Sequence, residues 1–132
     1  MIHHLDLTVS DRERSTRWYE TVLGRLGYVR TGDYAGDVPC WSPPGDGGSR
    51  WSLGLHQARS GVPHDRYAPG LHHLALRADN REQIDEFHKF IVAHGVTVLD
   101  APAEYDYSPG YYAVFFADPD GLKLELVHEP PA

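Results

Sequence analysis

The chain repeats itself at an offset of 69 positions, and this feature limits its possible folds more than any other. His3-His4-Leu5-Asp6-Leu7 aligns with His72-His73-Leu74-Ala75-Leu76, so both segments have the pattern HHLxL. At the same offset, Ser10 and Asp79 each precede a glutamate by three positions, the spacing of an N-cap and its capping-box partner. Because two independent signals share one offset, we predict two copies of one unit that begins with a strand and a helix.

The remainder of each copy predicts three further strands. Apolar side chains four and five positions apart give each helix one apolar face; they are Trp18, Val22 and Leu23 in the first copy and Phe87, Ile91 and Val92 in the second. Glycines end both helices, at Gly24 and Gly27 and at Gly95. The strands that follow are predicted over 28–34, 39–42 and 50–57, and over 96–99, 111–117 and 122–128, with turns at 43–48 and 118–121.

These elements predict an α+β fold of one domain. Its two βαβββ modules are expected to pair into an open, cup-shaped mixed β-sheet with the helices outside. Module one spans 1–59, a linker rich in Gly, Pro and charge spans 60–70, and module two spans 71–132. A chain of 132 residues with 41% hydrophobic content is large enough to bury one such core.

Charge and composition exclude several classes of partner. A net charge of -7 leaves no basic field for nucleic acid or for anionic lipid. No apolar run has the length of a membrane span, and the alternating N-terminal segment does not have the pattern of a signal peptide. The single cysteine, Cys40, cannot form an intramolecular disulfide and has no adjacent base, which indicates a small buried side chain in a cytoplasmic protein.

Strand alternation predicts which side chains face the cup. If the leucines of the HHLxL segments pack beneath the helices, His3 and His72 go with the packed side. The open face then carries His4, Asp6, Thr8, His73, Arg77, Lys123, Glu125 and Val127. Glu125 is the most informative of these, because a carboxylate between two leucines of a core strand is costly unless it is paired or bound to a metal.

His4, His73 and Glu125 are predicted to form a metal site near the axis that relates the copies. Two imidazoles and one carboxylate suit a divalent ion such as Zn²⁺, Ni²⁺, Mn²⁺ or Fe²⁺ and leave positions open for substrate or water. His56 follows Gly54 by two positions and lies on the same predicted face, as a substrate-binding candidate. The alternative for any one of these histidines is a surface or hydrogen-bonded residue.

The sequence resembles the vicinal oxygen chelate superfamily over nearly its whole length. The motifs that carry the resemblance are 4–11 (HLDLTVSD), Trp18-Tyr19, 22–24 (VLG), 73–76 (HLAL) and 116–125 (FADPDGLKLE). The resemblance implies that His4, His73 and Glu125 are metal ligands and that a substrate chelates the metal through two neighbouring oxygens. Glyoxalase I and methylmalonyl-CoA epimerase have a fourth ligand where this chain has Gly54, and His56 could replace it only if its strand shifted or bulged.

Three further residues are predicted substrate contacts. A four-residue loop at 118–121 would pair Tyr112 with Val127, which would place Tyr112 on the open face as a hydrogen-bond donor to a substrate oxygen. An aromatic packed at the sheet edge is the alternative. Asp6 and Arg77 share the predicted face, where Arg77 and Lys123 either fix an anionic substrate or pair with Asp6 and Glu125.

Two functions are compatible with this pattern. The first is a metal-dependent lyase, isomerase or dioxygenase acting on a small oxygenated compound, with Glu125 and Tyr112 as its catalytic groups. The second is a metal-free protein that sequesters a drug or metabolite, as the bleomycin-resistance proteins do, although those proteins lack the ligand triad. Family members often form homodimers, and a homodimer is expected here.

Overall fold

The computed structural model describes residues 2–34, 38–45 and 51–132 and divides the chain into two compact units, Met1–Val62 and Pro63–Ala132. The first unit contains β1 (His4–Val9), α1 (Arg12–Arg25), β2 (Val29–Tyr34), β3 (Val38–Ser42) and β4 (Ser52–Gln57). The second contains β5 (His73–Arg77), α2 (Arg81–Ala93), β6 (Thr97–Glu104), β7 (Tyr112–Ala117) and β8 (Lys123–His128). Residues 46–48 of one predicted turn and Arg50 of one predicted strand lie outside the described residues.

The predicted order βαβββ and the α+β class are confirmed in both units. The sheet of the first unit has the order β1-β4-β3-β2, and that of the second has the order β5-β8-β7-β6. In each sheet the first and last strands of the unit pair in parallel, and the other pairs are antiparallel. The units separate after Val62, inside the segment 60–70 that the sequence predicts as a linker.

The strand register shows how closely the two units correspond. Asp6 pairs with Gly54 between β1 and β4, and Gly54 pairs in turn with Cys40 of β3. The same row of the second sheet holds Ala75, Glu125 and Phe115 and continues to Asp100 of β6. In the parallel strand pair of each sheet, this row thus has one carboxylate, on the first strand in one unit and on the last strand in the other.

Both helices begin one residue later than the sequence pattern predicts. The N-caps are Asp11 and Asn80 rather than Ser10 and Asp79, and their side-chain oxygens accept hydrogen bonds from the backbone N–H of the third following residue, Arg14 at 3.0 Å and Gln83 at 2.8 Å. Two residues of capping type stand side by side at each start, so composition alone could not separate them. The predicted ends at Gly27 and Gly95 are confirmed, since these residues have φ of 83° and 71°. Gly24 was also predicted at the end of the first helix, but it lies inside α1.

The buried face of each helix differs slightly from the predicted apolar face. The buried residues are Ser15, Tyr19, Val22 and Leu23 in α1, and Ile84, Phe87 and Ile91 in α2. Trp18 is only half-buried, and Val92 is 55% exposed. Val92 lies one residue past Ile91, about 100° around the helix, and so points away from the sheet.

The predicted alternation holds along β1 and β5. Leu7, Val9 and Leu76 are buried, whereas the side chains of the intervening positions are exposed; these are His4, Asp6, Thr8, His73 and Arg77. His3 and His72 were predicted on the packed side, and that prediction is wrong: both are exposed. They precede the first residues of the strands, where strand alternation no longer applies.

Across the described ranges, both helices are too short and too polar to cross a membrane.

Candidate functional site

Glu125 is the centre of a hydrogen-bonded cluster in the second unit. Its side chain is 2% exposed, although it lies on the face of β8 away from the helix. The Tyr111 hydroxyl donates to its Oε1, and the Nε2 of His73 lies 3.3 Å from its Oε2. Both carboxylate oxygens therefore have a partner, which offsets the cost of burying the charge. His73 and Glu125, predicted to act together, are brought together here.

Each strand histidine is held by the histidine before it. The Nδ1 atoms of His72 and His73 are 2.8 Å apart, and those of His3 and His4 are 2.9 Å apart. Only one nitrogen of each pair can carry the shared hydrogen, so the tautomers of the two rings are coupled. With Nδ1 engaged, Nε2 is the remaining ring nitrogen of His4 and of His73, and in His73 it is the atom directed at Glu125. The two copies of the repeat thus share this contact between neighbouring histidine side chains.

An aromatic wall lies beside Glu125. The ring of Phe115, its partner in the β7–β8 register, is 5.5 Å from the ring of Tyr105 and 6.5 Å from that of His73. The Lys123 ammonium, predicted to pair with a carboxylate or bind an anion, lies 4.5 Å from the centre of the Phe115 ring in a cation–π contact. Phe115 thus covers the carboxylate with apolar surface.

Tyr112 does not lie on the open face, so its predicted placement there is wrong. Its hydroxyl donates to Asp85 of α2 at 2.5 Å, and the Arg81 guanidinium stacks on its ring at 4.8 Å. The observed register pairs Ala117 with Lys123 and Tyr112 with His128, one residue away from the prediction. This shift turns Tyr112 to the helix side and puts Tyr111 beside Glu125.

The shift arises in the turn, where Leu122 belongs to the loop rather than to the strand. Asp118 Oδ1 accepts hydrogen bonds from the backbone N–H of Asp120 at 2.9 Å and of Leu122 at 2.8 Å. The Asp118 N–H in turn donates to the Leu122 carbonyl. An aspartate that caps its own turn was visible in the sequence and could have indicated the longer loop.

Tyr111 is the site residue that the sequence prediction missed. Burial, and then its hydrogen bond to Glu125, raise the pKa of its hydroxyl well above the ordinary range. The phenol therefore stays protonated and donates to the carboxylate throughout the physiological pH range. The neighbouring Tyr107 ring contacts it edge to face at 5.1 Å and fixes its orientation.

The open face of the first unit carries its own imidazole–carboxylate pair. Nε2 of His56 lies 2.8 Å from Oδ2 of Asp6. Asp6 fits over Gly54, where a Cβ would lie 2.5 Å from its Oδ1. The β1–β4 register is continuous from His4 to Gln57, so His56 stays two residues beyond Gly54 and reaches Asp6 without a bulge.

The two remaining predicted residues, Arg77 and His4, lie on the first strands of the two units. Arg77 is exposed on β5 opposite Val127 and makes no ion pair with any described residue. His4 lies at the start of β1 in the first unit. Within the described ranges, no group of three or more His, Cys, Asp or Glu side chains is arranged to hold a metal ion.

Sequence comparison identifies the family. Residues 1–126 match the model of the Glyoxalase/Bleomycin resistance protein/Dioxygenase superfamily. The chain belongs to this superfamily. It is also 33% identical over 130 residues to the uncharacterized protein YqjT of Bacillus subtilis, covering 96% of this chain and 97% of that one. The resemblance drawn from the sequence motifs is thereby confirmed.

Solved structures of the superfamily have the same fold. A Bacillus halodurans protein, provisionally assigned as a glyoxalase, is 28% identical with a TM-score of 0.79, covering 98% of this chain and 96% of that one. A glyoxalase/dioxygenase from Nostoc punctiforme is 23% identical with a TM-score of 0.77, covering 99% and 92%. At that identity the second comparison supports the fold alone.

Replacing Tyr111 with phenylalanine tests the cluster in the second unit. We expect Tyr111→Phe to lower the free energy of unfolding by about 1–3 kcal/mol, because a buried carboxylate oxygen loses its donor. Tyr112→Phe is the matched control, since it removes a hydroxyl bonded to Asp85 on the exposed side of the helix. Urea denaturation compares the two variants, and equal small losses would contradict the assigned role of Tyr111.

Proposed function

We propose that the protein is a metal-dependent enzyme acting on a small oxygenated compound, with His73 and Glu125 as ligands of one divalent cation. The observation that supports this most is the buried carboxylate of Glu125 beside Nε2 of His73. His4, the counterpart of His73 in the repeat, is the proposed third ligand, on the strength of the sequence pattern. The metal would be Zn²⁺, Ni²⁺, Mn²⁺ or Fe²⁺, which take imidazole and carboxylate ligands together.

The donor atoms of the second unit fit such an ion. Ligands at about 2.0–2.1 Å from a tetrahedral Zn²⁺ are about 3.4 Å from each other. The distance between His73 Nε2 and Glu125 Oε2 is 3.3 Å, which already matches two adjacent positions of one coordination sphere. The contact between His72 and His73 supplies the outer hydrogen bond that usually orients a ligating imidazole.

The residues of the chain would prepare the site in two ways. Tyr111 holds one oxygen of Glu125, so the carboxylate keeps a fixed orientation. Phe115 and Tyr105 exclude water on one side, which strengthens the electrostatic interactions of the charged groups. A bound cation would act as a Lewis acid toward a substrate with two neighbouring oxygens and stabilise negative charge on one of them. Lyase, isomerase and dioxygenase reactions all use that stabilisation.

One observation favours a second candidate, a metal-free protein that binds a drug or metabolite. Both oxygens of Glu125 have partners within the protein, Tyr111 and His73, so the carboxylate is satisfied without a cation. In that case the cluster is a structural network, and ligand binding is insensitive to chelators.

Metal titration of the purified full-length chain distinguishes these functions. We expect about one divalent ion per chain, removable by chelator, and a loss of affinity of on the order of 100-fold in His73→Ala. His64→Ala is the matched control, because His64 is an exposed histidine of the same unit. A wild-type protein that binds none of the four metals would overturn the enzyme proposal and favour the metal-free function.

We further propose that the chain forms a homodimer in the cytoplasm, as many superfamily members associate in pairs. Cys40 is buried and is the single cysteine of the chain, which fits a reducing compartment. Sedimentation equilibrium of the purified protein tests the association, and a monomer at all concentrations would refute it.

A further inference from the structure

The first unit contains an open pocket of about 780 Å³ at one end of its sheet. It is lined by Thr8, Arg12, Val38, His56, Gln57 and Arg59. Thr8 and His56 are paired near the carboxyl ends of the parallel strands β1 and β4, and Arg12 is the first residue of α1. This volume is in the range of small-molecule sites, and five of the six lining residues are polar or charged.

The two arginines of the pocket have no acidic partner. Among the described residues, neither Arg12 nor Arg59 makes an ion pair, whereas Arg17 pairs with Glu13 at 3.1 Å on the same helix as Arg12. The chain as a whole has a net charge of -7, so acidic side chains are in excess. Two unpaired guanidinium groups in one concavity concentrate positive potential there and attract anions.

Hydrogen bonds of the Gln57 side chain fix part of the pocket wall. Gln57 accepts from the Arg12 backbone N–H at 2.9 Å and donates to the Ser10 carbonyl at 2.8 Å. These bonds join the end of β4 to the start of α1. The backbone of Arg12 is therefore fixed, which lowers the entropic cost of binding at this residue.

His56 and Thr8 complete the polar lining of the pocket. His56 donates its Nε2 hydrogen to Asp6, so this carboxylate already has a partner. The Thr8 hydroxyl can donate a hydrogen bond to a bound ligand. A planar, multidentate oxyanion is the ligand that two guanidinium groups recognise best.

We propose that this pocket binds the carboxylate or phosphate group of a small molecule, with Arg12 and Arg59 as the charged contacts and the Thr8 hydroxyl as a hydrogen-bond donor. The binding does not require the cation proposed for the second unit.

The experiment uses chelator-treated full-length protein, so that anion binding and metal binding are measured separately. Inorganic phosphate and malonate are titrated by calorimetry at low ionic strength. We expect saturable binding of at least one probe, weakened on the order of 10-fold or more in Arg12→Gln and in Arg59→Gln. Arg17→Gln is the matched control, since it removes the same charge from α1 outside the pocket.

The titrations of the two probes and the three variants either support or overturn the anion site. Binding of phosphate alone or of malonate alone supports the proposal and selects phosphate or carboxylate as the ligand group, and binding of both supports a general oxyanion site. Equal weakening in all three variants shows a diffuse charge effect and overturns it, as does wild-type protein that binds neither probe. Circular dichroism confirms that the variants are folded. If the wild-type protein binds an anion probe but none of the four metals, the anion site is supported and only the enzyme proposal is overturned.

Discussion

Glu125→Gln is expected to lower the affinity for a divalent cation by on the order of 100-fold or more while the chain stays folded. The amide has the shape of the carboxylate, and its oxygen can still accept the Tyr111 hydroxyl. It lacks the negative charge that makes a carboxylate a stronger ligand of a divalent ion than an amide oxygen. Calorimetric titration with Mn²⁺ and competition with Zn²⁺ measure the change.

The control for this substitution is Glu129→Gln. Glu129 belongs to the same unit and accepts a hydrogen bond from the Ser108 hydroxyl at 2.6 Å, but its side chain is exposed. Both variants lose one negative charge, so a general electrostatic effect would reduce metal affinity in each. If Glu125→Gln binds Mn²⁺ as tightly as the wild type, Glu125 is a structural carboxylate and is not a ligand.

The sequence predicted the elements of the fold well because its repeat supplies each signal twice. His4 and His73 occupy equivalent strand starts, and the alternation beyond them is as expected. The helix starts were predicted one residue early, since Asp11 and Asn80 each follow another residue of capping type. Local patterns thus gave the type of each element more reliably than its boundaries.

The candidate site was less predictable because it depends on pairing between distant residues. Tyr111 and Tyr112 are neighbours, and only the length of the Asp118 turn decides which of them meets Glu125. Likewise, the place of Asp6 over Gly54 follows from the β1–β4 register, which brings together residues 48 positions apart. An error of one residue in either register turns the side chain to the opposite face.

Both units place a small residue beside a carboxylate in matching rows of their sheets, but the side chains differ. In the row that contains Asp6, Gly54 and Cys40, a small residue lies beside a carboxylate from the first strand. In the matching row, Ala75 is the small residue and Glu125 is the carboxylate, now on the last strand. Each carboxylate lies close to Nε2 of a histidine on its own open face. Both units therefore have a carboxylate close to a histidine at this row, although the residues of the row differ.

Phe116→Ala is expected to lower the free energy of unfolding by about 3–5 kcal/mol, because it leaves a cavity in a packed core. Phe116 is 0% exposed, pairs with Leu124 in the sheet, and its ring lies 5.2 Å from that of Phe87 on α2. It is thus one of the buried contacts through which the helix packs on the second sheet. Val92→Ala, on the exposed side of the same helix, is the control and should change stability by less than about 0.5 kcal/mol.

Urea denaturation of both variants and of Phe116→Leu separates the cavity from the loss of the aromatic ring. The leucine fills most of the volume, so its loss should be clearly smaller than that of the alanine variant. Because the Phe116 side chain faces α2 and Glu125 lies on the opposite face, the leucine variant should keep the metal affinity of the wild type. A loss for Phe116→Ala no larger than that for Val92→Ala would show that α2 is not held by this contact.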